Sequence, residues 1–369
     1  MQQQILITDA AGTVVDIVEE ENAGDNIEKL HGILCPGFIN AHCHLELSHL
    51  KGAIPKQTGL VDFVLSIISK RHTNEDFILS AIENAEQEMI QNGIVAVGDI
   101  CNNNLTLSQK LKHKLRYHNF IEASGFPPAV AKERFNKAVD IYTSYTAEKL
   151  SGSVVPHAPY SVSPALFTMI NDFSGNNLLT IHNQETEAEN EFFKTGQGDI
   201  LRLYQQLGID ISFFVPSKKS SLQTWLPNFT NGKPVIIVHN VCTTAEDIEF
   251  AKQQSTWFCL CPNANLYISN MLPNVQMLMK HTENIVLGTD SLASNNELNI
   301  LEEIKTLQKN FTDLNLSTLL QWATSNAARA LQMENNFGSF EKGKQPGIVL
   351  IEGVEGLNIT DKATSKRVL

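Results

Sequence analysis

The chain has 369 residues, of which 42% are hydrophobic and 18% are charged, a composition typical of a globular protein with one large domain and a small accessory one. No segment approaches the roughly 20 consecutive apolar residues that a transmembrane helix needs. The net charge of -12 disfavours nucleic acid, because phosphate binding needs clustered Lys and Arg, so we expect a small-molecule substrate and neither a membrane nor a nucleic-acid partner.

Eight short apolar or β-branched runs each end in polar, potentially reactive residues, and most are followed by a segment with helical periodicity. In chain order the runs begin at Gly37, Gly93, Arg116, Gly152, Leu178, Val235, Thr256 and Asn284. Strand followed by helix, eight times, predicts an α/β fold of the (β/α)₈ TIM-barrel type over residues 37–337. Residues 1–36 and 338–369 are rich in strand and turn patterns. We expect them to form one small β-sandwich domain.

Several histidines fall at the ends of the predicted strands. His42 and His44 lie two residues apart in "GFINAHCHLE", so both side chains project from one face of the first strand, which in a barrel can be the lumen. Later strands end in His157, His182, His239 and Asp290. Two partly buried imidazoles cost several kcal/mol of desolvation unless they are satisfied, so the pair predicts metal ligands. Considered alone, His157 is equally compatible with a structural role, and Asp290 with a helix cap.

The six cysteines lie mostly inside apolar runs, which does not suit the disulfide framework of a secreted protein. We therefore expect a reducing, cytoplasmic location. Cys259 and Cys261 alternate along one predicted strand, a spacing that would also permit a metal or redox pair. We interpret them as core residues, because a free cysteine packs as a small hydrophobic side chain.

The segments "PGFINAHCH", "VPHAPYSVS", "IHNQETEAE", "CPNANLYIS" and "LGTDSLASN" follow one another between about Pro36 and Leu350. This set resembles the amidohydrolase superfamily, in its branch of cytosine-deaminase-like and adenosylhomocysteine-deaminase-like enzymes. The resemblance implies a (β/α)₈ barrel with a β-sandwich built from both termini, in agreement with the strand pattern. One departure is Pro346-Gly347, where the family usually has Ala-Asp, and it concerns the accessory domain alone. Barrels of this type often dimerise, so the resemblance also implies a homodimer.

The resemblance implies a metal-dependent hydrolase. One divalent cation is expected, Zn²⁺ in the first place, although Fe²⁺ suits the same donors. Its ligands would be His42, His44, His182 and Asp290. The fourth strand ends without the lysine that bridges two metals in binuclear members, which predicts a single ion. The ion would lower the pKa of water towards about 7, Asp290 would also accept the proton of that water, and His239 would orient the attacking oxygen or polarise the substrate.

Glu185 indicates the type of reaction. It follows His182 by three residues, a spacing that supplies a general acid in the deaminase branch. Deamination of an aromatic amidine needs a proton on the ring nitrogen, whereas hydrolysis of an amide does not. The neighbouring acids Glu187, Glu189 and Glu191 leave a solvated helix face as the alternative. Our hypothesis is an aminohydrolase that releases ammonia from an aminated purine nucleoside.

The substrate is suggested by two further residues. The run "HLELS", with Glu46, resembles aminofutalosine deaminases, and His157 matches a position that approaches the ribose in nucleoside deaminases. Together they favour 6-amino-6-deoxyfutalosine, an intermediate of menaquinone biosynthesis, with Glu46 and His157 binding the substrate. Contact through Glu46 requires the strand to continue past His44, and a turn there would remove it.

Other reactions remain alternatives, because fold and ligand set do not fix the leaving group. The same site could deaminate adenosine, methylthioadenosine or adenosylhomocysteine, or hydrolyse a triazine, a chlorinated ring or a cyclic amide. From a different class, the chain could be a catalytically silent barrel that binds a ligand.

Overall fold

The computed structural model describes residues 4–25 and 27–369. Its strands are β1 (Gln4–Thr8), β2 (Val14–Glu19), β3 (Ile33–Pro36), β4 (Phe38–Cys43), β5 (Ile94–Cys101), β6 (Arg116–Ala123), β7 (Ser151–Pro156), β8 (Leu179–Asn183), β9 (Val235–His239), β10 (Thr256–Leu260), β11 (Ile285–Leu287), β12 (Ile348–Glu355) and β13 (Asn358–Arg367). Its α-helices are α1 (Leu60–Lys70), α2 (Glu75–Gln91), α3 (Leu107–Lys110), α4 (Ala131–Ala147), α5 (Pro164–Asp172), α6 (Glu187–Thr195), α7 (Asp199–Leu207), α8 (Ser221–Trp225), α9 (Ala245–Ala251), α10 (Pro262–Ser269), α11 (Val275–His281), α12 (Ile300–Asn310), α13 (Leu316–Gln321) and α14 (Ala327–Ala330).

Strands β4 to β11 form a closed parallel barrel. They pair in chain order as two four-stranded sheets, β4 to β7 and β8 to β11. At one junction the His182 amide donates to the His157 carbonyl, at 3.0 Å, and at the other the Thr289 amide donates to the His42 carbonyl, at 3.1 Å. The predicted TIM-type barrel is therefore confirmed, and each of its strands falls within one of the eight predicted runs except β7, which begins one residue earlier, at Ser151.

The barrel strands are buried on both faces, as parallel strands flanked by helices must be. Every residue of β4, β5, β8, β9 and β10 is buried. This explains why the runs read as nearly continuous apolar segments and why the polar residues at their ends stand out in the sequence. Cys259 and Cys261 are fully buried in this core, where they pack as apolar side chains.

Both ends of the chain contribute to small antiparallel sheets. Strand β12 lies between β3 and β13, so one three-stranded sheet combines the two termini, as predicted. The β1–β2 hairpin joins the C-terminal segment through Val14, whose amide donates to the Lys344 carbonyl at 2.8 Å. The exact division of the chain at residues 36 and 338 stays a prediction.

Gly37 connects the terminal sheet to the barrel. A Cβ at this position would lie 2.3 Å from a Val95 methyl carbon and 2.7 Å from the Pro346 carbonyl oxygen, so the backbone can approach this closely only without a side chain.

Within the described part of the chain, no helix has the length and apolar character needed to cross a bilayer.

Candidate active site

The predicted site residues meet at the carboxyl ends of the barrel strands. His42 is in β4 and His44 directly follows it, His182 is in β8 and His239 is the last residue of β9. Asp290 was expected to end the eighth strand, but β11 stops at Leu287. Asp290 instead reaches the site through the barrel junction, where its amide donates to the His42 carbonyl at 3.1 Å.

Four side chains present donor atoms to one small space. The His44 Nε2 atom lies 3.1 Å from His42 Nε2 and 3.2 Å from His182 Nε2. The Asp290 Oδ1 atom lies 3.3 Å from His44 Nε2 and 3.5 Å from His42 Nε2. Each of the four residues offers one ligand atom, and these atoms lie within 4.8 Å of one another. The structure thus brings together the complete predicted ligand set.

The hydrogen bonds around these residues suit a cation. The Nδ1 atom of His182 lies 2.7 Å from the His157 carbonyl oxygen, so it must carry the proton and leave the Nε2 lone pair free. Burial lowers the pKa of His42 and His44 well below the usual value, which keeps both rings neutral. The Ser294 hydroxyl donates to Asp290 Oδ2 at 2.5 Å, while Oδ1 faces the imidazoles. Converging lone pairs and one carboxylate are the donors that a divalent metal ion requires.

Four residues at these strand ends, among them Asn240 with a φ angle of 59°, have left-handed backbone conformations. The φ angles are 46° for Gln184, 75° for His239 and 57° for Asp290. Such angles are costly for residues other than glycine and cluster at functional sites, where the surrounding structure holds them in place. The local strain therefore marks the same strand ends that carry the candidate catalytic side chains.

Glu185 lies inside the barrel mouth and not on a solvated helix face. It is 5% exposed and precedes α6, which begins at Glu187, whereas Glu187 and Glu191 are exposed. Burial, with Asp290 nearby, raises the pKa of Glu185 well above the usual value. The Glu185 Oε2 atom lies 3.7 Å from His239 Nε2. A protonated carboxyl group in this position is suited to general-acid chemistry.

The peptide before Glu185 is fixed by buried hydrogen bonds of Gln184. The side-chain nitrogen of Gln184 donates to Asn190 Oδ1 and to Asp247 Oδ2, each at 3.0 Å. Its backbone N–H donates to Glu189 Oε1 at 2.9 Å. Helices α6 and α9 thus hold the unusual conformation that directs Glu185 towards the site.

A cavity of about 600 Å³ opens onto this group. Its wall includes His44, His157, His182, Glu185, His239 and Asp290. Beyond the strand ends the wall is largely apolar and comes in good part from α1 and α7, with Phe63, Val64, Leu203 and Leu207 among its residues. The site can therefore hold a ligand with one polar reacting end and an extended apolar part.

His157 lies on the cavity wall, as the prediction requires of a residue that binds substrate. Its Nδ1 atom is 2.7 Å from the Ser161 hydroxyl, and its ring centroid is 5.0 Å from that of His182. Burial lowers the pKa of His157 to about 4. A neutral imidazole at this place can exchange hydrogen bonds with a polar group of the ligand.

The expected geometry of Glu46 is wrong. The strand ends at Cys43, and Leu45–Leu50 forms a 3₁₀ helix, because the chain turns as soon as it leaves the barrel. The buried Glu46 carboxylate accepts hydrogen bonds from Arg71 Nη2 and from the Asn102 backbone N–H, each at 2.9 Å. Arg71 and Asn102 line the cavity and Glu46 does not. Glu46 is thus placed behind the wall, where it holds Arg71 and the Asn102 backbone, and its contact with substrate stays a prediction.

Sequence reasoning missed Glu122, at the end of β6. It is part of the cavity wall, and its Oε2 atom is buried without a hydrogen-bond partner among the described residues. Burial raises the pKa of Glu122. Glu122, His157 and His182 also have donor atoms within 4.8 Å of one another, but His182 Nδ1 is already engaged by the His157 carbonyl. The only signal in the sequence was the position of Glu122 at the end of the third predicted strand.

Comparison with known proteins places the chain in a family. The model described as "Amidohydrolase family" matches residues 33–367. A 5-methylthioadenosine/S-adenosylhomocysteine deaminase of Halalkalibacterium halodurans is 26% identical over 381 residues, covering 93% of this chain and 79% of the relative. An aminodeoxyfutalosine deaminase of Nitratiruptor sp. is 27% identical over 350 residues, covering 90% and 82%.

A solved structure supports the same fold. The crystal structure of Helicobacter pylori aminofutalosine deaminase in complex with methylthio-coformycin aligns with a TM-score of 0.83, at 22% identity, over 96% of this chain and 88% of that one. The family match takes in the whole barrel and the three-stranded terminal sheet. The chain belongs to the amidohydrolase family and is a hydrolase that acts on C–N bonds.

Proposed function

We propose that this hydrolase is a metal-dependent deaminase that releases ammonia from an adenine nucleoside. The observation that carries the proposal is the buried Glu185, whose raised pKa favours a protonated carboxyl group 3.7 Å from His239. Hydrolysis of an amide does not need such an acid, whereas attack on an aromatic amidine needs a proton on the ring nitrogen. The deaminase names of relatives at 26% and 27% identity agree with this reaction.

Each site residue has a separate task in the proposed reaction. A divalent cation, for which we propose Zn²⁺, held by the His42, His44, His182 and Asp290 group, would supply the Lewis acidity that lowers the pKa of water. Glu185 donates its proton to the ring nitrogen beside the carbon that carries the amino group. Asp290 accepts the proton of the attacking water, and His239 orients the developing oxygen. The proton that Asp290 takes up then leaves with the ammonia, and the remaining proton of the attacking water returns to Glu185 as the carbonyl group of the product forms.

For the substrate we propose 6-amino-6-deoxyfutalosine, which would place the enzyme in menaquinone biosynthesis. This compound is an adenine nucleoside with a carboxyphenyl group at the far end of its sugar chain. The apolar wall formed by α1 and α7 suits the phenyl ring, and Arg134, also on the cavity wall, suits the carboxylate. The resemblance of "HLELS" to aminofutalosine deaminases and the relative from Nitratiruptor sp. support the same choice. His157 would bind the ribose hydroxyls.

The reaction and the substrate need separate tests. Glu185→Gln should lower kcat for ammonia release by at least about 100-fold, because the amide cannot donate the proton as the carboxyl group does. The zinc content should stay unchanged, because the amide keeps the shape of the side chain. The matched control is Glu191→Gln, which changes an exposed acid of α6 and should leave turnover as it is. Unchanged turnover in Glu185→Gln would overturn the deaminase proposal.

A substrate panel decides the narrower claim. Zinc-loaded protein is assayed with 6-amino-6-deoxyfutalosine, adenosine, methylthioadenosine, adenosylhomocysteine and a chlorinated triazine, with ammonia and chloride measured separately. We expect the largest kcat/KM for 6-amino-6-deoxyfutalosine. Much faster turnover of methylthioadenosine or adenosine would refute the substrate and retain the reaction type, whereas chloride release without ammonia would refute both.

A further inference from the structure

His239 is held between the protein interior and the cavity by its two ring nitrogens. The Nδ1 atom lies 3.0 Å from the side-chain nitrogen of Asn265, and the Nε2 atom lies 3.7 Å from Glu185 Oε2. His239 is 1% exposed and Asn265 is fully buried. Each nitrogen therefore has one defined neighbour, and water cannot readily substitute for Asn265.

The contact with Asn265 distinguishes the two forms of a neutral imidazole. An amide nitrogen has two hydrogens to donate and no lone pair to offer, so it can bond only to a ring nitrogen that carries no proton. His239 Nδ1 is therefore the acceptor. The single proton of the neutral ring must then be on Nε2, the atom that faces Glu185.

The opposite orientation of the amide would require the opposite tautomer. The Asn265 Oδ1 atom is buried without a hydrogen-bond partner among the described residues. Turning the amide over would give this oxygen the His239 contact and would leave the amide nitrogen as the group without a partner. Buried N–H groups without an acceptor are rarer than buried carbonyl oxygens without a donor, so the observed orientation is the favoured one.

We propose that Asn265 is a positioning residue that keeps the His239 proton on Nε2, so that His239 acts as a hydrogen-bond donor at the reacting centre. The Asn265 backbone is itself fixed, because its N–H donates to the Cys261 carbonyl at 3.0 Å in the first turn of α10. The contact between Asn265 and His239 thereby links the end of β9 to the helix α10 that follows β10. This role rests on the proposed deaminase function for its effect on turnover, but not for the position of the proton.

The tautomer matters because charge develops on the attacking oxygen. An N–H group aimed at that oxygen stabilises the negative charge in the transition state, whereas a lone pair in the same place repels it. Removing one such donor from an enzyme typically lowers kcat by about 100-fold to 1,000-fold. The effect should fall on kcat and not on KM, since the charge is absent from the bound substrate.

The test uses Asn265→Asp, which exchanges a donor for an acceptor of the same shape. A carboxylate at residue 265 accepts a hydrogen bond from Nδ1–H and so reverses the proton position on His239. With ¹⁵N-histidine-labelled, zinc-loaded protein, long-range ¹H–¹⁵N spectra report which nitrogen carries the proton, and His239→Gln identifies the signal. We expect Nε2–H in the unaltered protein and a protonated Nδ1 in Asn265→Asp, with kcat lowered about 100-fold and KM within about threefold.

The control is Asn176→Asp, which places a carboxylate at another buried asparagine, whose side chain bonds to the backbone of Val154 and Ile170. This control should lower the melting temperature. It should leave both the His239 signal and kcat as they are in the unaltered protein. A spectrum with Nδ1–H in the unaltered protein overturns the proposal. If Asn265→Asp does not fold, the spectrum of the unaltered protein is sufficient to test the proposed position of the proton. Absence of any ammonia release would refute the proposed function and leave this spectroscopic test intact.

Discussion

Glu46 supports the cavity wall through Arg71, and this gives a prediction at the scale of single residues. In Glu46→Gln the neutral amide weakens the bond to Arg71, since hydrogen bonds to charged groups are worth about 1.5–3 kcal/mol. We expect KM for the nucleoside to rise about tenfold with kcat nearly unchanged. The control is Glu88→Gln, which removes an exposed ion pair with Lys51 and should change neither constant.

A double-mutant cycle separates support from direct contact. If Glu46 acts through Arg71, the double variant Glu46→Gln with Arg71→Ala should bind the substrate no more weakly than Arg71→Ala alone. If the losses of binding free energy in the two single variants simply add in the double variant, Glu46 touches the substrate itself, as the sequence prediction had it. Steady-state kinetics on the four proteins measure the coupling.

The same residues show what the sequence could and could not predict at this scale. The alternation of a strand places His42 and His44 on one face, because that periodicity is a property of the backbone. Glu46 has the right spacing but lies past the point where the chain turns, and nothing in "HLELS" signals a 3₁₀ helix. Glu122 and Asn265 acquire their importance from residues on other elements, so their neighbours in the sequence give little indication of it beyond the place of Glu122 at the end of the third predicted strand.

The junction between β4 and β11 gives a prediction at the scale of elements. The Asn40 side chain donates to the Thr289 hydroxyl at 2.7 Å, and the Thr289 amide donates to Asn40 Oδ1 at 3.0 Å. These bonds fix the first strand against the segment that carries Asp290. Asn40→Ala should lower the free energy of unfolding by about 1–3 kcal/mol and weaken zinc binding at least tenfold, as loss of outer contacts to metal ligands does.

The chain provides a matched control for this change. The Asn171 side chain makes the same two bonds to the hydroxyl and backbone N–H of Thr230, at 3.1 and 3.0 Å, outside the ligand group. Asn171→Ala should lower the free energy of unfolding by a similar amount and leave zinc affinity unchanged. Urea unfolding and competition with a zinc chelator measure the two quantities. Equal loss of zinc affinity in both variants would contradict the proposed role of the junction.

Prediction of the elements succeeded where the fold demands an uninterrupted pattern. Strands buried on both faces need continuous apolar residues, which is why all eight runs could be recognised. The bounds of β11 could not be predicted, because Gly288 still donates to the Leu260 carbonyl of β10, whereas Thr289 and Asp290 bond across the junction to His42 and Asn40. This loop depends on a partner almost 250 residues earlier in the chain.

At the scale of the whole molecule, β3 from one end of the chain forms a three-stranded sheet with β12 and β13 from the other, and Gly37 connects this sheet to the barrel. The pairing of β3 with β12 joins residues more than 300 positions apart. Gly and Pro punctuation indicated short strands at both ends but not their partners, and the expectation that they combine came equally from the family resemblance. The four candidate metal ligands likewise come from distant segments of the chain, since they lie in both halves of the barrel.

Metal binding should therefore stabilise the entire fold. The three imidazole Nε2 atoms and the Asp290 carboxylate exist as a group only in the folded chain, so a metal ion binds the folded state and not the unfolded one. At free zinc 100 times the Kd, linkage predicts about 2.7 kcal/mol of added stability. Protein treated with a chelator should melt several degrees lower and recover on addition of zinc.

His182→Asn should lose this response, whereas His118→Asn, at a buried histidine outside the ligand group, should keep it. Calorimetry checks the prediction, and an unaltered response in His182→Asn would show that zinc stabilises the protein from another site.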